Sequence, residues 1–264
     1  MINYKLRSFL LLAATILGFG IARASIADET EAERYLFPAK DVDPAVLKSN
    51  DQVVVTQTAQ DWSFTPAKGG SPSALLFFPG GGVEPVAYAP LARAIAADGW
   101  AVYVVKLPGK TTAAELHRQN AIALGKSVMS SKPEIKHWVV AGHSMGGSIA
   151  ARFVHEEPSL FRGLILIGTT HPRDFDLSGF TGEVTKVYGT EDKVAQQAQS
   201  EANRRLLPAR TTWVRVEGGN HAQFGSYGLQ PGDGRATISR EEQLKATCNA
   251  VVSSLRRASA SRKP

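Results

Sequence analysis

The chain has 264 residues, 43% of them apolar and 20% charged. That balance excludes wholesale disorder and leaves enough apolar side chains for a sizeable core. The net charge of +6 comes without a basic stripe interleaved with aromatics, so no nucleic-acid groove is expected.

Residues 1–24 read as a secretory signal. Lys5 and Arg7 form a basic start, Phe9 to Ile21 is uncharged and mostly apolar, and Ala22-Arg23-Ala24 offers a small-x-small cleavage pattern. The apolar run is shorter than the roughly 20 residues a spanning helix needs, so cleavage is expected rather than stable membrane insertion. No Cys follows it, which argues against a lipoprotein. The mature protein would start near Ser25 and be periplasmic or secreted. Without Lys5, Arg7 and Arg23 the net charge is +3. Part of that sits in Arg256, Arg257, Arg262 and Lys263, read as a solvated, frayed end, with residues 259–264 a basic disordered tail.

Residues 25–50 are polar and acidic and are expected to lie over the surface or stay mobile. From residue 51 to 258 the pattern alternates between strand and helix. Strands are expected at 53–58, 62–65 and 74–78, a helix at 88–97 closed by Gly99, and a Val-rich buried strand at 100–105. A helix over 112–130, a strand at 138–141 and a helix over 144–156, stopped at Pro158, come next. Strands at 163–168 and 184–188, a helix over 194–206, a strand at 212–216 and a helix over 241–255 complete the series. Ser239 and Glu242 have the spacing of a capping box for that last helix. Near-continuous apolar strands separated by helices imply a mostly parallel sheet covered on both faces, in one α/β domain.

Gly142-His143-Ser144-Met145-Gly146 is the central chemical signal. A bare G-x-S-x-G is weak, but here a strand precedes it and a helix follows. A sharp strand-to-helix turn presents the Ser above the sheet, and the glycines allow close backbone approach. The helix start then aims free N–H groups at developing negative charge. Of the six His, His117 and His155 read as surface residues, His143 as packing beside the turn, and His137 precedes a strand. His221 follows the last strand through Glu217-Gly218-Gly219-Asn220, where it can act as the base for Ser144, with His171 in reserve. The carboxylate holding it is expected at Asp192, after the strand 184–188, with Glu191 beside it pointing elsewhere. Read alone, Asp192 could equally be a helix N-cap. The lone Cys248 excludes an internal disulfide and reads as a small packing residue in a helix.

The stretches Phe78-Pro79-Gly80-Gly81-Gly82-Val83-Glu84-Pro85, Ala141 to Gly147, Tyr188 to Asp192 and Glu217 to Gly225 together resemble the α/β-hydrolase superfamily. Within it they are similar to a small, cap-less, dienelactone-hydrolase-like or serine esterase-like group. The resemblance covers about residues 53–255. It implies the α/β-hydrolase fold, a triad of Ser144, Asp192 and His221 in that chain order, and no cofactor. It does not imply a substrate. The glycine run after residues 74–78 would supply one oxyanion N–H, from Gly81 or else Gly82, with Met145 N–H the other. Superfamily members usually carry His-Gly at this turn, whereas Pro79 stands here. Only a short polar loop fills residues 171–182, where larger caps are inserted. The long connection 222–238 carries Phe224 and Tyr227, expected at the rim of a substrate pocket.

The reading is an exported serine hydrolase cleaving small esters through an acyl-enzyme. The same triad would also serve an amidase, peptidase or lactonase, and the fold could be a weakly catalytic binding protein. No His/Asp/Glu cluster has metal-ligand spacing, so no metal is expected. A small-molecule substrate is the expected partner.

Overall fold

The computed structural model describes residues 35–107 and 114–260. The signal segment, the end of the basic tail and the side chain of His117 lie outside the described residues. Eight strands form one sheet: β1 (Val53–Gln57), β2 (Asp61–Pro66), β3 (Ser73–Phe78), β4 (Ala101–Val105), β5 (His137–His143), β6 (Phe161–Ile167), β7 (Glu183–Gly189) and β8 (Thr212–Val216). Their spatial order is β1-β2-β4-β3-β5-β6-β7-β8. The two strands at one edge run antiparallel, and β4 through β8 are parallel.

Side chains alternate strictly between the two faces, as the period of two requires. On β3, Leu75 and Phe77 enter one core while Leu76 and Phe78 enter the other. The first core is closed by α1 (Ala89–Ala97) and α5 (Arg240–Ala260), through Leu91, Ile95, Val251 and Leu255. The second is closed by α2 (Ala114–Ser130) and α3 (Met145–Glu156), through Ile122, Val128, Ile149 and Phe153. Burial on both faces is why the central strands read as continuous apolar runs rather than alternating ones.

Two helix boundaries differ clearly from the sequence pattern. The helix expected over 194–206 shortens to α4 (Gln197–Ala202) plus a 3-10 turn, because residues 192–195 are held by the Asp192 side chain instead. The last helix runs five residues past 255, so Arg256 and Arg257 belong to α5 and not to a frayed end. Arg256 pairs with Asp98 at 2.7 Å and Arg257 with Glu183 at 3.5 Å. The capping box forms in both directions: Ser239 N–H donates to Glu242 Oε2, and Glu242 N–H to Ser239 Oγ. Residues 35–50 lie against the body of the fold. Phe37 N–H donates to Gly82 O, Glu84 N–H to Phe37 O, and Ala39 N–H to the Glu84 carboxylate.

Because β3 through β8 are parallel, the turns that leave β3, β5, β6, β7 and β8 emerge on one edge. Open parallel sheets bind ligands outside that carboxyl edge. Gly80 to Gly82, Ser144, Gly168 to His171, Asp192 and His221 all leave from it.

Candidate active site

Ser144 joins β5 to α3 with φ 53° and ψ −118°. A non-glycine residue in that region stores on the order of 1–3 kcal/mol of strain and persists only where its surroundings enforce it. The enforcement is visible. Ser144 N–H donates to Ile167 O on the neighbouring strand, and Gly147 and Ser148 N–H both return to Ser144 O. The crossing leaves no room for side chains on its flanks. A Cβ at Gly142 would lie 2.1 Å from the Gly146 carbonyl carbon, and one at Gly146 2.0 Å from Phe78 O. Ser144 itself is partly exposed, at the start of a helix whose first N–H groups have no intrahelical acceptor.

His221 is fully buried and Asp192 is 3% exposed. They meet through a 2.8 Å hydrogen bond between His221 Nδ1 and Asp192 Oδ2. The other carboxylate oxygen accepts N–H from Val194 and Ala195. Asp192 therefore both caps the turn after β7 and orients the imidazole. With Nδ1 on the carboxylate, Nε2 is the ring nitrogen left to serve Ser144. It is buried and has no hydrogen-bond partner among the described residues, so the bond expected from Nε2 to Ser144 is not made here. Such contacts are often long without substrate and tighten in the complex. The ring of His143, next to Ser144 in the chain, lies 4.5 Å from that of His221.

The loop carrying His221 is braced by two residues that the sequence pattern did not single out. The Asp233 carboxylate accepts backbone N–H from His221 at 3.2 Å, Ala222 at 2.8 Å and Gly234 at 2.8 Å. The fully buried Gln243 side chain clamps Asn220, accepting its N–H and donating to its carbonyl. A Gly-Asp-Gly inside an unusually long connection was the available signal for Asp233; Gln243 sits one residue past the capping box and has none.

At the turn after β3, Gly81 faces the Met145 side chain, where a Cβ would come within 3.1 Å of its Cε. Gly82 (φ +67°) faces Leu36 instead, and its carbonyl is taken by Phe37. The N–H groups of Gly81 and Met145 have no acceptor among the described residues.

His143 is buried, and burial holds it well below the usual histidine pKa, with His221 a lesser cause. It is neutral. His171, the reserve base, lines a cavity of about 220 Å³ together with Ser144. Burial first, then Arg173 and Lys186, push it down to about 4. Phe224 and Tyr227 are not at a rim. They are 3% and 5% exposed, packed on His143 and, for Tyr227, on Phe37. Aromatics in this long loop close the core beneath the site because residues 35–40 lie across them. Among the described residues, no group of three or more His, Cys, Asp or Glu is placed to hold a metal.

A model of the alpha/beta hydrolase family matches residues 74–245. No curated protein sequence matches the chain. Among solved structures, a soluble variant of monoglyceride lipase from Saccharomyces cerevisiae aligns with a TM-score of 0.60. Identity is 11%, over 83% of this chain and 98% of that one. A CIB-like hydrolase from Thermoplasma acidophilum aligns at 0.56, with 15% identity over 76% and 98%. Est1E from Butyrivibrio proteoclasticus aligns at 0.54, with 13% identity over 78% and 99%. At these identities the likeness is one of fold.

Proposed function

The chain belongs to the alpha/beta hydrolase family, and from that premise we propose that it is an exported serine hydrolase that cleaves esters of small substrates. One observation carries the reading: a strained Ser144 at the same sheet edge as a buried His221 held by Asp192. Strain of this kind is retained at sites that use it.

In the proposed reaction Ser144 Oγ attacks the ester carbonyl and passes its proton to His221 Nε2. Asp192 keeps the imidazole in the required tautomer and offsets its positive charge. The oxyanion is held by the N–H groups of Met145 and Gly81, each worth roughly 3–4 kcal/mol of transition-state stabilisation. His221 returns its proton to the leaving alkoxide. It then activates water, which releases the acid from Ser144. A monoglyceride lipase of the same fold supports ester over amide chemistry. Residues 1–24 support export, with a mature N-terminus near Ser25 that N-terminal sequencing of the purified protein would read.

The test is covalent labelling by a fluorophosphonate probe, followed by turnover of a short ester and its amide. The wild type takes the label and cleaves the ester faster. Ser144→Ala takes no label. A wild type that stays unlabelled and cleaves neither substrate overturns the reading.

A further inference from the structure

The cavity at Ser144 is positively charged. Its lining includes the guanidinium-bearing Arg118 and Arg173 beside a neutral His171, with no Asp or Glu among the described residues. Arg173 makes no ion pair among the described residues. Its Nε and Nη2, the edge that pairs with carboxylates, both rest on the hydroxyl of Thr170, another lining residue. A single neutral oxygen is a poor match for a two-donor fork. Behind the wall Lys186 is buried at 1% exposure, donating to His171 O at 2.7 Å with no carboxylate partner among the described residues. Among the described residues Asp174 is the acid that acts on His171, and it is exposed and outside the lining.

Arg173 disfavours a proton on its neighbours, and both His171 and Lys186 are pulled down in part by that repulsion. An anion in the cavity relieves that repulsion and replaces Thr170 on the guanidinium fork. At about 220 Å³ the cavity is smaller than the roughly 300–1,000 Å³ typical of larger ligands. The part of an ester that stays on Ser144 through both half-reactions is its acyl group.

We propose that the preferred substrate is an ester whose short acyl chain ends in a carboxylate held by Arg173, such as a half-ester of a small dicarboxylic acid. This rests on the serine esterase reading above. The guanidinium discriminates charged from neutral acyl chains because a charge-assisted pair is stronger than a neutral one and no acid competes for it among the described lining residues.

The experiment compares monomethyl succinate with its uncharged isostere methyl 4-methylpentanoate, and measures fluorophosphonate labelling in the presence of succinate or succinamide. The wild type should favour the charged ester by about 10-fold or more in kcat/KM. Succinate should slow labelling more than succinamide does. Arg173→Met should bring the ester ratio toward one, Arg173→Lys should keep part of it, and about 0.5 M salt should lower it. A labelled wild type that succinate and succinamide slow equally overturns the carboxylate assignment and leaves the esterase reading standing. So does an ester ratio that Arg173→Met does not change. Absence of both labelling and turnover overturns the esterase reading and this assignment with it.

Discussion

Tyr88 Oη lies 2.8 Å from His143 Nδ1 and accepts the N–H of Gly80 at 2.9 Å. The phenol oxygen accepts from Gly80, and in the Nε2–H tautomer of the neutral His143 the phenol proton goes to Nδ1, so one buried hydroxyl ties the turn after β3 to the turn after β5. Those two turns carry Gly81 and Met145, the proposed oxyanion donors. Burial raises the Tyr88 pKa, which keeps the phenol protonated and donating.

Tyr88→Phe removes both bonds and leaves Gly80 N–H and His143 Nδ1 unpaired in a dry environment. The ring remains to fill the volume against Phe77. Misalignment of one oxyanion donor costs up to about 100-fold or more in kcat. We therefore expect kcat for a short ester to fall roughly 10- to 100-fold, with KM nearly unchanged. Steady-state kinetics check this, and a change confined to KM would count against the bridge.

Asp233 holds the backbone of His221 and Ala222, not the imidazole. Asp233→Ala strands at least two N–H donors and loosens the loop that delivers Nε2. Hydrogen bonds to charged groups contribute about 1.5–3 kcal/mol each, so a loss of roughly 10- to 100-fold in kcat/KM is expected. Asp233→Asn, which keeps one acceptor oxygen, should recover part of it. Equal activity of all three proteins would exclude the bracing role.

The mostly parallel sheet was legible in outline because most of its central strands are near-continuously apolar, the pattern of a sheet covered on both faces. Ser144 was legible because its neighbours must be glycine. Asp192 and His221 were legible as strand-end residues, and the spacing from Gly189 chose Asp192 over Glu191. The supports were not. Tyr88 reads as the first residue of a helix, and its partner is 55 positions away. Phe224 and Tyr227 looked like rim residues because nothing in their own loop reveals that residues 35–40 fold over them.

Gly146 and Gly179 make a paired test of the tight turn. A Cβ at Gly146 would meet the backbone oxygens of Phe78 and Pro79 at 2.0 and 2.4 Å, whereas one at Gly179 would meet nothing within 4 Å. Backbone cannot yield as a flexible side chain does. Gly146→Ala should lower stability by several kcal/mol or abolish soluble expression, in line with severe overpacking. Gly179→Ala should stay within about 0.5 kcal/mol of the wild type. Urea unfolding of both variants measures the contrast, and similar midpoints would show that the crossing of α3 over β3 yields to a methyl group.

Lys186 links the charged cavity to pH. Burial first, then Arg173, lowers its pKa from 10.5 to about 7. In the unfolded chain the amine keeps its proton up to the higher value; in the fold it releases it near the lower one. Between those pH values the unfolded state binds more protons, so raising the pH favours the folded state. The penalty for burying the ammonium is fully present below about pH 7 and is relieved as pH climbs toward 10. Lys186→Met carries no such group. The unfolding free energy of the wild type should therefore gain on that of Lys186→Met by up to about 1.4 kcal/mol per pH unit across this window. Below about pH 6 the difference should be flat. Urea titrations at several pH values give the two curves, and parallel curves from pH 6 to 9 would mean that Lys186 keeps its proton in the fold.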